Sequence, residues 1–186
     1  MIVPPDHVRK LIDQQYKTID DAHTRISEIW VENIVFSFGW FTCLLLTVVP
    51  WIVWFIFRNK DSQTRLLLGG FWAMLISSWL DYVGVTLGLW RYYNKLIPLM
   101  PDYIAWDFAL MPVTIMFFLQ IKPKMSPIIK GLIFAAMTAF LAEPLFLWLG
   151  YYNYPGWKPI WSFPIFLVIY LISHKLVHSK ATKPLK

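Results

Sequence analysis

Three carboxyl side chains, Asp81, Asp107 and Glu143, stand inside long apolar stretches. A charge at mid-bilayer costs at least about 2.5–3.5 kcal/mol on the lenient insertion scale. Such acids persist where they face an interior, find a partner or keep a proton. Aromatic residues crowd around them: Trp90 and Tyr92 follow Asp81, Trp106 precedes Asp107, and Tyr152 and Trp157 follow Glu143. Ring faces are negative, so aromatics combined with carboxylates attract organic cations. The same surfaces suit a flat apolar ligand, or shelter a carbocation beside an acid that donates a proton. These eight residues are the candidate ligand-binding set. The competing use of the acids is structural, as hydrogen bonds between helices with Ser77, Ser78, Thr86 or Ser162. Pro112 and Pro144 free the carbonyls of Phe108 and Phe140 near an acid, which gives a small cation site a place to form.

No other motif carries chemistry. The chain has no Walker loop, GxSxG, HExxH or CxxC, so no catalytic residue is assigned and no cofactor is expected. His174 and His178 have a spacing that holds metals, but no third ligand is near. Cationic side chains at a helix C-terminus are favoured by the dipole, so no metal site is expected. The single cysteine, Cys43, reads as a buried small hydrophobe.

The elements that must position these acids are membrane helices. The chain is 58% apolar and only 15% charged, too greasy for a soluble domain of 186 residues. Five blocks, at 34–57, 66–90, 103–120, 127–150 and 159–177, are expected to cross a bilayer of about 30 Å as helices. The third and fifth are barely long enough. The net charge of +6 belongs to loop residues that set orientation, not to nucleic-acid binding. Arg58, Lys60, Arg65, Lys122, Lys124 and the lysines of the basic tail 179–186 gather on one side. Arg91, Lys95 and Lys158 stand on the other. The excess places the C-terminus in the cytoplasm and the N-terminus outside, in a plasma membrane. The domains are therefore an amphipathic helix at 1–33, a transmembrane domain at 34–178 and the tail. Seven tryptophans, at 30, 40, 90, 106, 148, 157 and 161, fall near the outer face, more than an interfacial belt requires.

Residues 4–33 read as a helix with Asp6 as N-cap. Ile12, Tyr16, Ile19, His23, Ile26 and Trp30 form a heptad seam. Six acids and the absence of an apolar h-region argue against a cleavable signal peptide. The acidic polar face argues for protein rather than anionic lipid as its partner, either the rest of the chain or a second copy through residues 12–30. A capping box at Thr18–Asp21, splitting the segment, is the alternative. Gly84 and Gly88 form a GxxxG suited to close helix contact.

Asp81, Gly88, Trp90 and Tyr92 match Glu143, Gly150, Tyr152 and Tyr154 at a constant offset of 62, and Trp106 and Phe108 match Trp161 and Phe163 at 55. Two copies of one helix hairpin are expected, related by an axis along the membrane normal. Asp81 and Glu143 would then approach each other at a depth of about 13 Å, with Asp107 above them.

The runs DYVGVTLGLWRY, WDFALMP and EPLFLWLGYYNYPGWKPIWS resemble a family of small multi-pass membrane proteins of Gram-positive, largely spore-forming bacteria. The resemblance covers about residues 66–178. It implies a bacterial membrane location and a topology, since the family has no established activity. YYNYPGWKPIW more weakly resembles the Tyr/Pro/Trp signature of the five-helix tryptophan-rich sensory proteins. The expected function is binding, sensing or small transport, with an outward acidic–aromatic pocket for a small cationic or flat apolar ligand. The alternatives are a membrane enzyme on a lipid or polyprenoid and a membrane scaffold.

Overall fold

The computed structural model describes residues 3–179. Most of that chain is helical: α1 (Asp6–Asn33), α2 (Phe38–Phe57), α3 (Gln63–Thr86), α4 (Met111–Gln120), α5 (Pro127–Met137), α6 (Glu143–Trp148) and α7 (Pro159–Val177). A π turn at Trp106–Leu110 leads into α4, and a second at Thr138–Ala142 joins α5 to α6 as one helix. Among the described residues, four helices are long and apolar enough to cross a membrane: Phe38–Phe57, Lys60–Thr86, Pro127–Trp148 and Pro159–Val177. The expected third span is the shorter helix Trp106–Gln120. The basic tail expected at 179–186 lies outside the described residues from position 180 onward.

The π turns are followed by Met111 and Glu143, each directly before a proline, Pro112 or Pro144. A proline ring clashes with the carbonyl four residues back and leaves it unbonded. One extra residue in the preceding turn relieves both problems, a common origin of π bulges at functional sites. The carbonyl of Phe108 is not left for a cation. It accepts the indole N–H of Trp51 from α2 at 2.7 Å.

α3 ends four residues earlier than the apolar pattern runs, because Gly88 adopts a left-handed φ of +70° and turns the chain. The N–H groups of Leu87, Gly88 and Leu89 bond back to the carbonyls of Val83, Val85 and Gly84. α6 closes identically. Gly150 has φ +75°, and the N–H groups of Leu149, Gly150 and Tyr151 bond to Leu145, Leu147 and Phe146. A glycine at this place avoids the penalty that a Cβ brings to the left-handed region. Beyond the two caps lie the strands β1 (Arg91–Tyr92) and β2 (Tyr152–Asn153), antiparallel, with Arg91 opposite Asn153 and Tyr92 opposite Tyr152.

Gly84 and Gly88 are not a helix-contact motif. Gly88 has open space around it, and Gly84 makes room for the ring of Trp90. Close helix contact is made by Gly69 and Gly70, which face Val177, Leu119 and Met116, with the Ser173 hydroxyl donating to the Gly69 carbonyl at 3.3 Å. Around them packs one apolar cluster, centred on Trp54, Ile115, Met116, Phe134 and Tyr170. A second cluster joins Cys43, Tyr103, Phe146, Tyr151 and Tyr152 beneath the ribbon.

α1 is continuous and begins at Asp6 behind Pro5, so Asp6 is a first-turn acid and not the N-cap. Thr18 lies mid-helix, its hydroxyl donating to the Gln14 carbonyl, so no capping box divides the segment. No residue of α1 is buried, and Ile12, Tyr16, Ile19 and Ile26 are exposed. One tether holds its end: the Trp30 indole N–H donates to the Lys95 carbonyl at 2.8 Å.

Candidate functional site

Between the two apolar clusters is a cavity of about 240 Å³. Asp81, Asp107, Glu143, Trp90, Tyr92, Trp106, Tyr152 and Trp157 all line it. The elements explain the convergence. Asp81 lies five residues before the end of α3 and Glu143 five before the end of α6, so each is about 8 Å below its cap, shallower than the pattern implied. The two left-handed glycines then fold Trp90 and Tyr152 back over the acids. Asp107 enters from the π turn before α4.

Asp81 is held by three donors. Its Oδ1 accepts the Trp90 indole N–H and the Tyr92 hydroxyl, each at 2.9 Å. Its Oδ2 accepts the backbone N–H of Tyr103 at 3.2 Å, and Asp107 Oδ2 accepts the same N–H at 3.1 Å. The acid bonded into one cluster with Asp81 is thus Asp107, not the expected Glu143. Ser162, one of the serines the sequence offers, is beside Glu143, and its hydroxyl oxygen accepts the Trp157 indole N–H at 2.8 Å. Glu143 Oε2 is buried without a hydrogen-bond partner.

The aromatic wall is ordered. Tyr92 stacks on Tyr103 at 4.8 Å and on Tyr152 at 5.3 Å. Trp157 meets Trp90 edge-on at 5.2 Å, and Trp106 meets Phe146 in the same way at 5.3 Å. Burial, followed by the neighbouring carboxyl groups, pushes the Tyr92 phenol well above its ordinary range. Burial does the same for Tyr152. Both are neutral at physiological pH and add no negative charge to the wall.

The loop over the cavity has its own charges. Lys95 Nζ donates to the carbonyls of Met100 and Pro101. Burial lowers the Lys95 ammonium and raises the Asp102 carboxyl, with Asp81 adding to the latter. His174 and His178 stack at 4.0 Å with no further ligand, and no group of three metal-binding side chains occurs among the described residues.

Sequence reasoning did not place Tyr103 at the site, although it stands one helical turn before Asp107. Besides its ring, it contributes a backbone N–H to both aspartates, which residue identity does not reveal. Gly84 was legible only as part of GxxxG. No protein-family model matches the chain, and no curated protein or solved structure does either.

Proposed function

We propose that this chain is a five-helix plasma-membrane protein that binds a small organic cation in the acidic–aromatic cavity, as a binding, sensing or small transport protein. One observation carries the reading: three acids and eight aromatics, from both hairpins and the loops beyond them, line one cavity. At about 240 Å³ it lies just under the range of drug-sized pockets, roughly 300–1,000 Å³, so the ligand is small.

Topology supports a fifth crossing. The ribbon holds the C-terminal ends of α3 and α6 together, so α5 starts at the opposite end of the bundle. Residues 93–126 must therefore traverse its height, and α4 is the helix that does so. Fifteen residues reach only about 22 Å. α4 is covered by its neighbours, with Pro112, Ile115 and Met116 fully or nearly fully buried. A helix enclosed in protein can be completed by irregular backbone at membrane depth. The far end is tied by Gln120, which bonds to Phe57 and Asn59, and by Lys130 Nζ, which donates to the Ile121 carbonyl at 2.7 Å.

A duplicated hairpin is supported by the two glycine caps, which repeat bond for bond at the offset of 62. The ribbon supports it too. Arg91 pairs with Asn153, its own counterpart at that offset, as a local twofold axis through the ribbon requires. The π turns break the symmetry, since they fall in different helices of the two copies. With the basic loops inside, the ribbon and the cavity face outward.

The test uses detergent-purified protein and two probes of one shape, phenethylamine and neutral 2-phenylethanol. The amine is expected to raise the melting temperature in a saturable way, and the alcohol is not. Equal stabilisation by both would refute a cation site. Orientation is checked in cells by placing single cysteines at Asn153 or Lys124 in a Cys43→Ser background. An impermeant thiol reagent should label position 153 only.

A further inference from the structure

The three acids of the cavity are not equivalent. Asp81 has its oxygens filled by Trp90, Tyr92 and Tyr103, and Asp107 shares the last of these donors. Glu143 lines the same cavity, is only 7% exposed, and has an oxygen, Oε2, with no partner. The pseudo-symmetric arrangement makes the gap specific. Trp90, nine residues after Asp81, donates to it. Tyr152, nine residues after Glu143, instead stacks on Tyr92 at 5.3 Å, and no hydrogen bond joins it to Glu143. Asp81 has both oxygens met by donors from the chain, and Glu143 has one oxygen that no donor reaches.

A buried carboxylate oxygen left unpaired is costly, and native proteins fill nearly all such positions. As a carboxylate oxygen, Oε2 calls for a hydrogen-bond donor, and a ligand N–H group would supply one. A quaternary ammonium has no N–H and would leave Oε2 as it is. A protonated amine fills it and brings the compensating charge. Phe146, Ile165 and Phe166 give the same cavity an apolar stretch of wall.

Resting on the cation-binding reading above, we infer that Glu143 is the anchor of the site and that the ligand is a protonated primary or secondary amine with a compact apolar or aromatic body. Its N–H groups bond to Glu143, and its body lies against Phe146, Ile165 and Phe166. Asp81 and Asp107 hold the roof in place through Trp90, Tyr92 and Tyr103.

The experiment is calorimetric titration of the detergent-purified full chain at neutral pH. The probes are phenethylamine and its N,N,N-trimethyl analogue, which has the same charge and body but no N–H. The amine is expected to bind at least about tenfold more tightly, the scale of one charged hydrogen bond. Glu143→Gln should weaken the amine by a similar factor and leave the analogue within about twofold. The comparison of probes on the unaltered protein needs no variant, so a folding defect in Glu143→Gln does not obscure it. If the analogue binds as tightly as the amine, or a folded Glu143→Gln retains amine affinity, the anchor inference is overturned while cation binding stands. If neither ion binds, both readings are overturned.

Discussion

Replacing Asp81 by leucine rather than asparagine separates a hydrogen-bonded acid from a merely buried one. Leucine removes the acceptor for Trp90 Nε1 and Tyr92 Oη, each now at 2.9 Å. The Tyr103 N–H keeps Asp107 at 3.1 Å and is not stranded. Two stranded donors at about 1–3 kcal/mol each give roughly 2–6 kcal/mol. Relief of the neighbouring carboxyl and a gain in apolar contact reduce this to about 2–4 kcal/mol. For a chain of this length that is a fall in Tm on the order of 10 °C. Asparagine keeps an oxygen for both donors and should cost less than about 1 kcal/mol. The assay is thermal unfolding in detergent, followed by near-ultraviolet circular dichroism. A double-mutant cycle adds the control: Trp90→Phe removes one stranded donor, so within Asp81→Leu it should recover stability, whereas alone it should lose some. Equal melting of the leucine and asparagine variants, with no recovery in the double mutant, would refute the claim that Asp81 organises the roof.

Gly84→Ala would place a Cβ 2.0 Å from the Trp90 ring, so the indole must leave Asp81; a cost of about 1–3 kcal/mol and a shift in tryptophan fluorescence are expected. Gly88→Ala and Gly150→Ala meet no atom within 4 Å, yet each should cost about 1–2 kcal/mol from its left-handed φ, and chemical unfolding should give similar values for the two. Asp102 is raised by burial, so its contribution to stability is fully present below its ordinary value near 3.8 and lost as pH rises through the folded value. Asp102→Asn should therefore raise Tm at pH 7 and leave it unchanged near pH 3.5, and a lower Tm at pH 7 would contradict the sign. Self-association through the exposed seam of α1 predicts a mass above the monomer by light scattering and a fall toward the monomer in Ile19→Asp, with the melting of the bundle unchanged; a monomeric unaltered protein would contradict it.

The parts of this molecule legible in its sequence are those the bilayer dictates. Apolar blocks give helices in the expected places, because lipid leaves the backbone no other open-ended choice. The match of Asp81 with Glu143 was readable as an offset, and the two acids do stand equally far from their helix ends. What was not legible depends on single backbone torsions. The run Leu87–Trp90 is as apolar as the helix before it, so hydropathy extends α3 past the left-handed Gly88 that ends it. Without that turn, Trp90 cannot fold back, and Gly84 reads as a helix contact instead of a seat for an indole. The π turns leave only Pro112 and Pro144 as local signs, and a proline inside an apolar block more commonly signals a kink. The linking of Asp81 to Asp107 follows from these details and from the Tyr103 N–H that both accept. The seam of α1 was visible, but nothing in the heptad pattern says that the chain itself leaves it uncovered.

Photoaffinity labelling places a bound cation most directly. An arylalkyl amine carrying a small diazirine is photolysed with the purified protein, and the adducts are mapped by peptide sequencing with and without excess phenethylamine. Binding in the cavity predicts adducts confined to its walls, in 77–92, 103–111 and 143–169, and lost on competition. Adducts on the exposed apolar surface of α2, around Phe41, Ile56 and Phe57, or adducts indifferent to the competing amine, would contradict it.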